Sequence, residues 1–387
     1  MPLSVLRAFV VNLLIYLDNN STTPLAPLVW DVMTRVSHTA WANPGSRHQL
    51  GRKARQVYED ARDSIAGCLN AHPKSLTFTS GGTEAINLAL FGLAHARPEK
   101  RHFAITEGDH PAASRPSDIL VRQGWIRHLI PLDYNGLIVE DSLTQLPWND
   151  LSFVTTLWAN NETGVIQNLT SLSNLCQQHN VPLHLDAVQA VGKLPVDFTT
   201  LGVHALSFAA HKFHGPRGIG GLLLKEGTPF SPTLFGGFQE QGIRPGTELV
   251  TLAAGMATAL QLATDNLDTN TTHIRTLRDR FEDELKASHP NSIIHGEQSP
   301  RLPNTSNIAF PDNDGEALLV TLDLLGLACS QGSACASGSS EPSPVLLAMH
   351  ISEHLANNSL RFSLSRMTTN HDITHALKTL FHALGGQ

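Results

Sequence analysis

Short apolar runs alternate with longer segments of helical periodicity through the middle of this 387-residue chain. The strand-like runs lie at 75–79, 153–159, 181–185, 205–209 and 218–224. The segment 84–96 has apolar residues spaced for one helical face. Strands that alternate with helices predict βαβ units around a mostly parallel sheet. In such a sheet, the loops after the carboxyl ends of the strands hold the ligand.

Lys212 comes just after the run at 205–209 and before a loop rich in Gly and Pro. A lysine at this place can face a ligand while its backbone is held rigid. Its amine deprotonates readily when it is desolvated or lies near another cation, and it can then bond covalently to a carbonyl compound. The alternative is an ordinary surface lysine, because most lysines are exposed.

Asp186 ends another predicted strand, which should neighbour the strand that leads to Lys212. A carboxylate there can pair with a protonated pyridine nitrogen and keep the ring an electron sink. The alternative is a helix N-cap, a common role for Asp after a strand. Gln189, three residues later, could donate a hydrogen bond to a ring oxygen.

Two further segments suggest contacts with a ligand. Gly82 and Thr83 lie between a predicted strand and a predicted helix, where free N–H groups and the helix dipole favour an anion, although turns use the same residues. Cys335 lies among Gly, Ser and Ala at 332–338. Free cysteines are usually buried, so this loop suits a nucleophile that must move. Cys329, next to apolar residues, is predicted to be buried.

Several motifs occur together and in one order along the chain. They lie at 16–24, 43–46, 82–84, 161–164, 186–189, 211–212, 244–248 and 361–363. With this order the chain resembles the cysteine desulfurases of the class V aminotransferase group, from about residue 15 to about residue 384. The loop around Cys335 is similar to the long loop of the branch that supplies iron–sulfur cluster assembly or nitrogenase.

The resemblance implies a function and catalytic residues. Lys212 would bind pyridoxal 5′-phosphate and move the substrate Cα proton, and His110 would stack on the ring and handle the thiol proton of the substrate, L-cysteine. Arg361 would bind the substrate carboxylate, and Asn161 would support ring and substrate. The Cys335 thiolate would attack the substrate sulfur, which leaves a persulfide on the enzyme and releases alanine.

The resemblance also implies a set of cofactor ligands and a homodimer. The cofactor-binding residues would be Lys212, Gly82, Thr83, Asn161, Asp186, Gln189, His211 and Thr247. Thr247 corresponds to a residue that reaches the phosphate of the other subunit, so two copies are expected to associate. A sulfur-acceptor protein, either a scaffold or a sulfurtransferase, is the expected partner.

Two positions depart from the family pattern. Ala209 stands where the family usually has a hydroxyl that binds the phosphate, and Gln241 stands where it usually has arginine. Loss of one charge-assisted hydrogen bond costs about 1.5–3 kcal/mol. Because Lys212 and Cys335 are unchanged, we still predict activity.

The resemblance implies a fold of the pyridoxal-phosphate-dependent transferase type I. Its large domain, with a mostly parallel seven-stranded sheet, would span 18–260. Residues 1–17 and 261–387 would form a smaller α+β domain that carries the cysteine loop. From the sequence alone, the polar helical pattern at 265–287 suggests a crossover between the two domains, and 13–17 is read as a strand, with no cleaved signal peptide before it.

The composition excludes several other classes of protein. A net charge of −7 without a basic block indicates neither a nucleic-acid surface nor a membrane anchor. Four cysteines, none in a C-x-x-C pair, signal no zinc site and favour a reducing compartment, which we take to be the cytoplasm.

Three functions remain open at this stage. The first is a cysteine desulfurase. The second is a selenocysteine lyase or a plain class V aminotransferase, and an aminotransferase would have no use for a mobile Cys335. The third is a catalytically weak partner protein with the same fold, which the residues at 209 and 241 suggest.

Overall fold

A seven-stranded sheet organises the fold of the computed structural model, which describes residues 14–332 and 341–385. The strand order is β2-β8-β7-β6-β5-β3-β4. The strands are β2 (Leu76–Thr79), β3 (His102–Thr106), β4 (Ile126–Ile130), β5 (Leu151–Leu157), β6 (Leu183–Asp186), β7 (Ala205–Ala209) and β8 (Gly220–Leu224). Neighbouring pairs from β7 to β4 are parallel, and β8 alone runs antiparallel to β2 and β7. The predicted mostly parallel α/β sheet is confirmed.

Helices connect the strands and make up much of the rest of the described chain. They are α1 (Pro27–Thr39), α2 (Gln49–Cys68), α3 (Gly82–Ala96), α4 (Pro111–Arg122), α5 (Glu140–Leu143), α6 (Thr170–Gln178), α7 (Val250–Asp265), α8 (Leu267–Ser288), α9 (Gly315–Leu324), α10 (Pro344–Ala348), α11 (Glu353–Asn357) and α12 (Asn370–Ala383). The central strands β5, β6 and β7 are buried along their whole length. These strands carry apolar residues together with buried Ser, Thr and His side chains.

Two small sheets lie outside the main one. In the first, β1 (Ile15–Tyr16) pairs in parallel with β11 (Leu327–Ala328). In the second, β10 (Thr305–Ala309) lies between β9 (Ile293–Ile294) and β12 (Ser359–Ser363), antiparallel to both. The beginning of the described chain therefore joins elements that lie near its end.

The apolar core divides into separate clusters. Two clusters surround the seven-stranded sheet, and Leu260 and Ala263 of α7 belong to one of them. Another cluster joins Ile15 and Leu17 to residues of α8, β10, β12 and α12. The division into a large and a small domain stays a proposal, but the clusters favour a boundary near Asn266, because α7 packs with the large sheet beyond residue 260.

The helix predicted at 265–287 agrees with α8 within two residues at its start and one at its end. Asn266 separates α8 from α7, which precedes it. Across the described residues, no helix is both long and apolar enough to span a bilayer.

Candidate active site

One cavity of about 210 Å³ opens at the carboxyl ends of β5, β6 and β7. This is the edge where a parallel sheet places its ligand. Nine of the predicted site residues line it, namely Lys212, His110, Gly82, Thr83, Asn161, Asp186, Gln189, His211 and Arg361. Thr247 does not line it, and Cys335 lies outside the described residues.

Lys212 reaches this cavity from a single 3₁₀ turn that follows β7 directly. Its amine donates to the backbone carbonyls of Asn20, at 2.6 Å, and Ser21, at 2.8 Å. The segment 19–24 therefore crosses over the end of β7. Thr23 strengthens this crossing, because its hydroxyl and its N–H both donate to the carbonyl of His211 at 3.0 Å.

Asp186 is the last residue of β6 and is buried. One carboxylate oxygen accepts from the N–H of Val188 at 2.9 Å, and no other hydrogen bond to this carboxylate is seen in the described residues. Burial raises the pKa of Asp186 to about 6, against the lowering effects of the Val188 N–H and the charge of Lys212. A cationic N–H in the cavity would offset this cost of desolvation.

His110 is the N-cap of α4, and its Nδ1 accepts from the N–H of Ala112 at 3.0 Å. Burial, together with the charges of Lys212 and Arg361, lowers the pKa of His110 to about 4. The imidazole is therefore neutral near pH 7. Because Nδ1 is the acceptor, the hydrogen-bond pattern assigns the ring proton to Nε2, and His110 presents a neutral N–H donor.

The residue before it, Asp109, is a second buried carboxyl group that the sequence reasoning passed over. Its Oδ1 lies 3.4 Å from the N–H of Leu157, and its Oδ2 has no partner in the described residues. Burial, and then the charge of Asp186, raise the pKa of Asp109 well above its usual range. The sequence feature that could have drawn attention to Asp109 is its position just before His110.

The anion-binding end of the cavity begins at Gly82, the first residue of α3. A Cβ placed on Gly82 would lie 2.8 Å from Val188 and 3.5 Å from the Cβ of Ala209, so only glycine fits. Thr83 is exposed and His211 is half-buried, with Nδ1 3.2 Å from the hydroxyl of Thr22. The free N–H groups of this helix start favour a phosphate.

Arg361 lies on β12 and is 1% exposed. Its guanidinium donates to Asp18 at 2.6 Å, to the Ser21 hydroxyl at 2.8 Å and to the carbonyl of Asn161 at 3.0 Å. Its Nε has no partner among the described residues. The side chain is thus held rigidly at the cavity and keeps donors for an incoming carboxylate.

Asn20 also lines this cavity, and Lys193 contacts its lining residues Gln189 and Asn20. The sequence reasoning assigned neither Asn20 nor Lys193 a role. Gln189 donates from Nε2 to the carbonyl of Asn20 at 2.9 Å and accepts from Lys193 at 2.6 Å. Asn20 belongs to the motif at 16–24, which was noted only as a mark of resemblance.

Thr247 is exposed and lies outside this cavity. The loop before it is fixed by Glu240, which is buried although its φ is +48°. Glu240 accepts from Arg62 at 2.6 Å and from the Tyr58 hydroxyl at 2.8 Å. Gln241 is exposed, and its side chain donates to the carbonyl of Lys74 instead of facing the cavity.

Cys335 lies outside the described residues, so its predicted role is not addressed by the geometry. Cys329 is half-buried, and burial raises the pKa of its thiol. A raised thiol pKa disfavours the reactive thiolate.

Comparison with known proteins places this cavity in a family. The family model for aminotransferase class-V matches residues 15–375.

The chain belongs to the class V aminotransferase family.

Relatives and solved structures agree over most of the chain. The cysteine desulfurase NifS of Azotobacter vinelandii is 38% identical over 365 residues, which are 94% of this chain and 91% of that relative. The IscS-like cysteine desulfurase of Mycobacterium tuberculosis is 40% identical over 373 residues, 94% of this chain and 95% of that relative. The solved structure of a NifS-like protein superposes with a TM-score of 0.90 at 31% identity, and covers 96% of this chain and 100% of that chain.

Class V aminotransferases use pyridoxal 5′-phosphate, and the residues of this cavity fit that group. The buried Asp186 carboxylate needs a cationic N–H, which a protonated pyridine ring provides. Gly82 and Thr83 bring the start of α3 to this cavity, where the free N–H groups of the helix favour a phosphate. The Lys212 amine lines the same cavity and can bond to an aldehyde.

Proposed function

We propose that this protein is a cysteine desulfurase, which removes sulfur from L-cysteine, releases L-alanine and carries the sulfur on Cys335. The observation that carries the proposal is that Lys212, Asp186, His110 and Arg361 meet in one cavity of a class V aminotransferase. The relatives named above are cysteine desulfurases, and their similarity extends over nearly the whole chain.

Each of the main side chains that line the cavity has one role in this proposal. Arg361 binds the substrate carboxylate through donors that Asp18, Ser21 and Asn161 leave open. This anchors the substrate Cα, and Lys212 accepts its proton. Bound pyridoxal phosphate supplies the electron sink that makes this proton acidic, and Asp186 holds the ring nitrogen protonated.

The phosphate is held by Gly82, Thr83 and His211 in the same proposal. Ala209 lies beside Gly82 and supplies no hydroxyl. Thr22 holds the His211 ring at 3.2 Å and so partly offsets that loss by keeping one donor in place. Gln189 supports the ring oxygen, and Asn161 supports the ring and the substrate.

His110 acts on the sulfur as a neutral N–H donor. Its Nε2 proton can hydrogen-bond the substrate sulfur as that atom gains charge. In the transfer, the Cys335 thiolate forms an S–S bond with the substrate sulfur while the Cβ–S bond of the substrate breaks. The three-carbon remainder takes up protons and leaves as alanine.

We also propose the setting in which this chemistry occurs. Thr247 is exposed on the single chain, as a residue that contacts the phosphate of a second subunit would be, so the working form is a homodimer. The persulfide passes to a scaffold or sulfurtransferase protein. A reducing cytoplasm keeps the Cys335 thiol available.

The deciding experiment measures sulfide and alanine produced from L-cysteine in the presence of a reductant. Wild type should make both products in equal amounts. Cys335→Ala should keep the visible band of bound cofactor and make neither product. Cys68→Ala, a half-buried thiol on α2, is the matched control and should stay active.

Two other results would contradict the proposal. Equal sulfide release by wild type and Cys335→Ala would mean that sulfur leaves directly, as in a lyase. No product from wild type, with the cofactor band unchanged by cysteine, would favour the inactive partner protein.

A further inference from the structure

The described residues on the two sides of the cysteine loop meet at one buried carboxyl group, that of Glu162. Glu162 is 4% exposed and belongs to the motif at 161–164, of which the sequence reasoning used only Asn161. Its Oε2 accepts from the Ser343 hydroxyl at 2.6 Å. A Cβ placed on Gly332 would lie 3.8 Å from the same oxygen. The two flanks of the loop therefore approach a single atom.

The hydroxyl of Ser343 has one proton, and that proton is donated to Glu162. Ser343 is the N-cap of α10, and its oxygen accepts from the N–H of Leu346 at 3.3 Å. The hydroxyl oxygen serves the helix as an acceptor, so its O–H is available for the carboxyl group. Val345 and Leu346 belong to a core cluster of the large sheet, which holds α10 in place. Glu162 therefore contacts a fixed helix start.

Glu162 lies between the flanks of the loop and the proposed site for the substrate carboxylate. The side-chain oxygen of Asn160 accepts from the N–H of Glu162 at 2.8 Å and fixes its backbone. The next residue back, Asn161, accepts from the guanidinium of Arg361 through its carbonyl. Burial raises the pKa of Glu162, whereas the Ser343 hydrogen bond and the charge of Arg361 act to lower it. The carboxyl group is thus close enough to Arg361 to feel its charge.

The flank that precedes the loop is also tied to Arg361. Ser330 and Arg361 exchange two backbone hydrogen bonds, of 2.6 and 3.1 Å. The Ser330 hydroxyl donates to Asp18 at 2.8 Å, and Asp18 accepts from the Arg361 guanidinium as well. Cys335 comes three residues after Gly332 in the chain. Three residues of extended chain span at most about 11 Å, so a fixed Gly332 limits the region that the thiol can occupy.

We propose that Glu162 is a positioning residue for the transfer of sulfur to Cys335. It keeps Ser343 and Gly332 together beside the substrate-carboxylate site, so that the cysteine loop begins and ends there. A group on a chain that is held at both ends near its target has a higher effective concentration at that target than a group held at one end. The inference deepens the proposed function and rests on Cys335 as the sulfur carrier.

The test uses the holoenzyme and separates chemistry that needs Cys335 from chemistry that does not. Exchange of the Cα proton of L-alanine in deuterium oxide requires Lys212 and Arg361 in the proposed function, but no sulfur transfer. Production of sulfide and alanine from L-cysteine requires these residues and Cys335. Each variant is measured in both assays, and thermal unfolding reports whether it folds.

Glu162→Ala removes the acceptor of the Ser343 hydroxyl, and Ser343→Ala removes the donor. We expect both variants to lower sulfide production at least about tenfold, as small misplacements of reacting groups do, and to leave the exchange of L-alanine unchanged. Ser352→Ala is the matched control. Ser352 is the N-cap of α11, which is as short as α10, and its hydroxyl bonds only within its own helix among the described residues. The control should match wild type in both assays.

Glu162→Gln tests the hydrogen bond itself and keeps the inference falsifiable if Glu162→Ala does not fold. Its amide oxygen can still accept from Ser343, so sulfide production should stay near that of wild type. If Glu162→Gln falls as far as Glu162→Ala, or if Glu162→Ala loses both activities equally, the inference is wrong. If wild type exchanges L-alanine but makes no sulfide from L-cysteine, the proposed function fails, and the inference fails with it.

Discussion

Arg361 and Asp18 form a 2.6 Å ion pair at the active-site cavity, although 343 residues separate them in the chain. The pair is nearly buried, and a buried guanidinium costs less when a carboxylate and further acceptors surround it. Asp18 therefore sets the direction in which Arg361 offers its free donors. In the proposed function, the binding of the substrate carboxylate depends on that direction.

We predict that Arg361→Lys raises KM for L-cysteine by about 30- to 150-fold, because a compact ammonium cannot reproduce a two-pronged bond worth about 2–3 kcal/mol. The visible cofactor band should remain, since Lys212 and Asp186 are intact. Steady-state kinetics and absorbance check both parts. Arg115→Lys, on the exposed surface of α4, is the control. An unchanged KM would remove Arg361 from the carboxylate site.

Asp186→Asn should have opposite effects on activity and on stability. The variant loses the charge that, in the proposed function, holds the ring nitrogen of the cofactor protonated, so turnover should fall at least about 100-fold, as for loss of a proton-controlling group. The apoenzyme should become more stable at pH 7 by on the order of 1–3 kcal/mol, because burial raises the pKa of Asp186 to about 6 and the charged form is costly. Chemical unfolding of the apoenzyme and product assays measure the two effects. A variant that loses both activity and stability would show that Asp186 supports the fold instead.

Stability should fall as the pH falls from about 6.5 towards 4. Burial lowers the pKa values of His110, His211, His214 and His295 to about 4. Between about pH 6.5 and 4, these histidines bind protons in the unfolded chain but remain neutral in the folded chain, so protonation favours unfolding. Each such histidine contributes at most about 1.4 kcal/mol per pH unit. Thermal unfolding of the apoenzyme across this range measures the slope, and His295→Gln, outside the cavity, should flatten it. A stability independent of pH here would contradict the assignment.

Glu240→Gln should destabilise the protein by about 3–5 kcal/mol, because it removes the buried carboxylate that pairs with the buried guanidinium of Arg62. Glu59→Gln is the matched control, since Glu59 pairs with the same Arg62 but is 41% exposed. The control should cost at most about 1 kcal/mol. Equal losses in the two variants, measured by chemical unfolding, would show that burial does not strengthen this pair.

The sequence predicted the sheet and most of the cavity because both depend on local signals. The buried parallel strands are short segments rich in apolar residues; Asp186 ends one of them, and Lys212 lies just after another. Gly82 could be predicted for the same reason, because it is a glycine between a predicted strand and a predicted helix. These features depend on only a few neighbouring residues.

The features that the sequence did not predict arise from contacts between distant segments. Asn20 became important only because Lys193, Gln189 and Lys212 converge on it in space. The neutral N–H of His110 depends on a backbone bond from Ala112, which residue type alone does not reveal.

The pairing of β1 with β11 has a consequence for biosynthesis. Ile15 can pair with Leu327 only after Leu327 has been synthesised, more than 300 residues later in the chain. At the usual speed of a ribosome this takes roughly 15–60 s. The strands of the seven-stranded sheet are all translated before Leu327, so that sheet can form first while Ile15 and Leu17 still lack the core residues they later contact. The apolar cluster that contains Ile15 and Leu17 is therefore completed only after the large sheet.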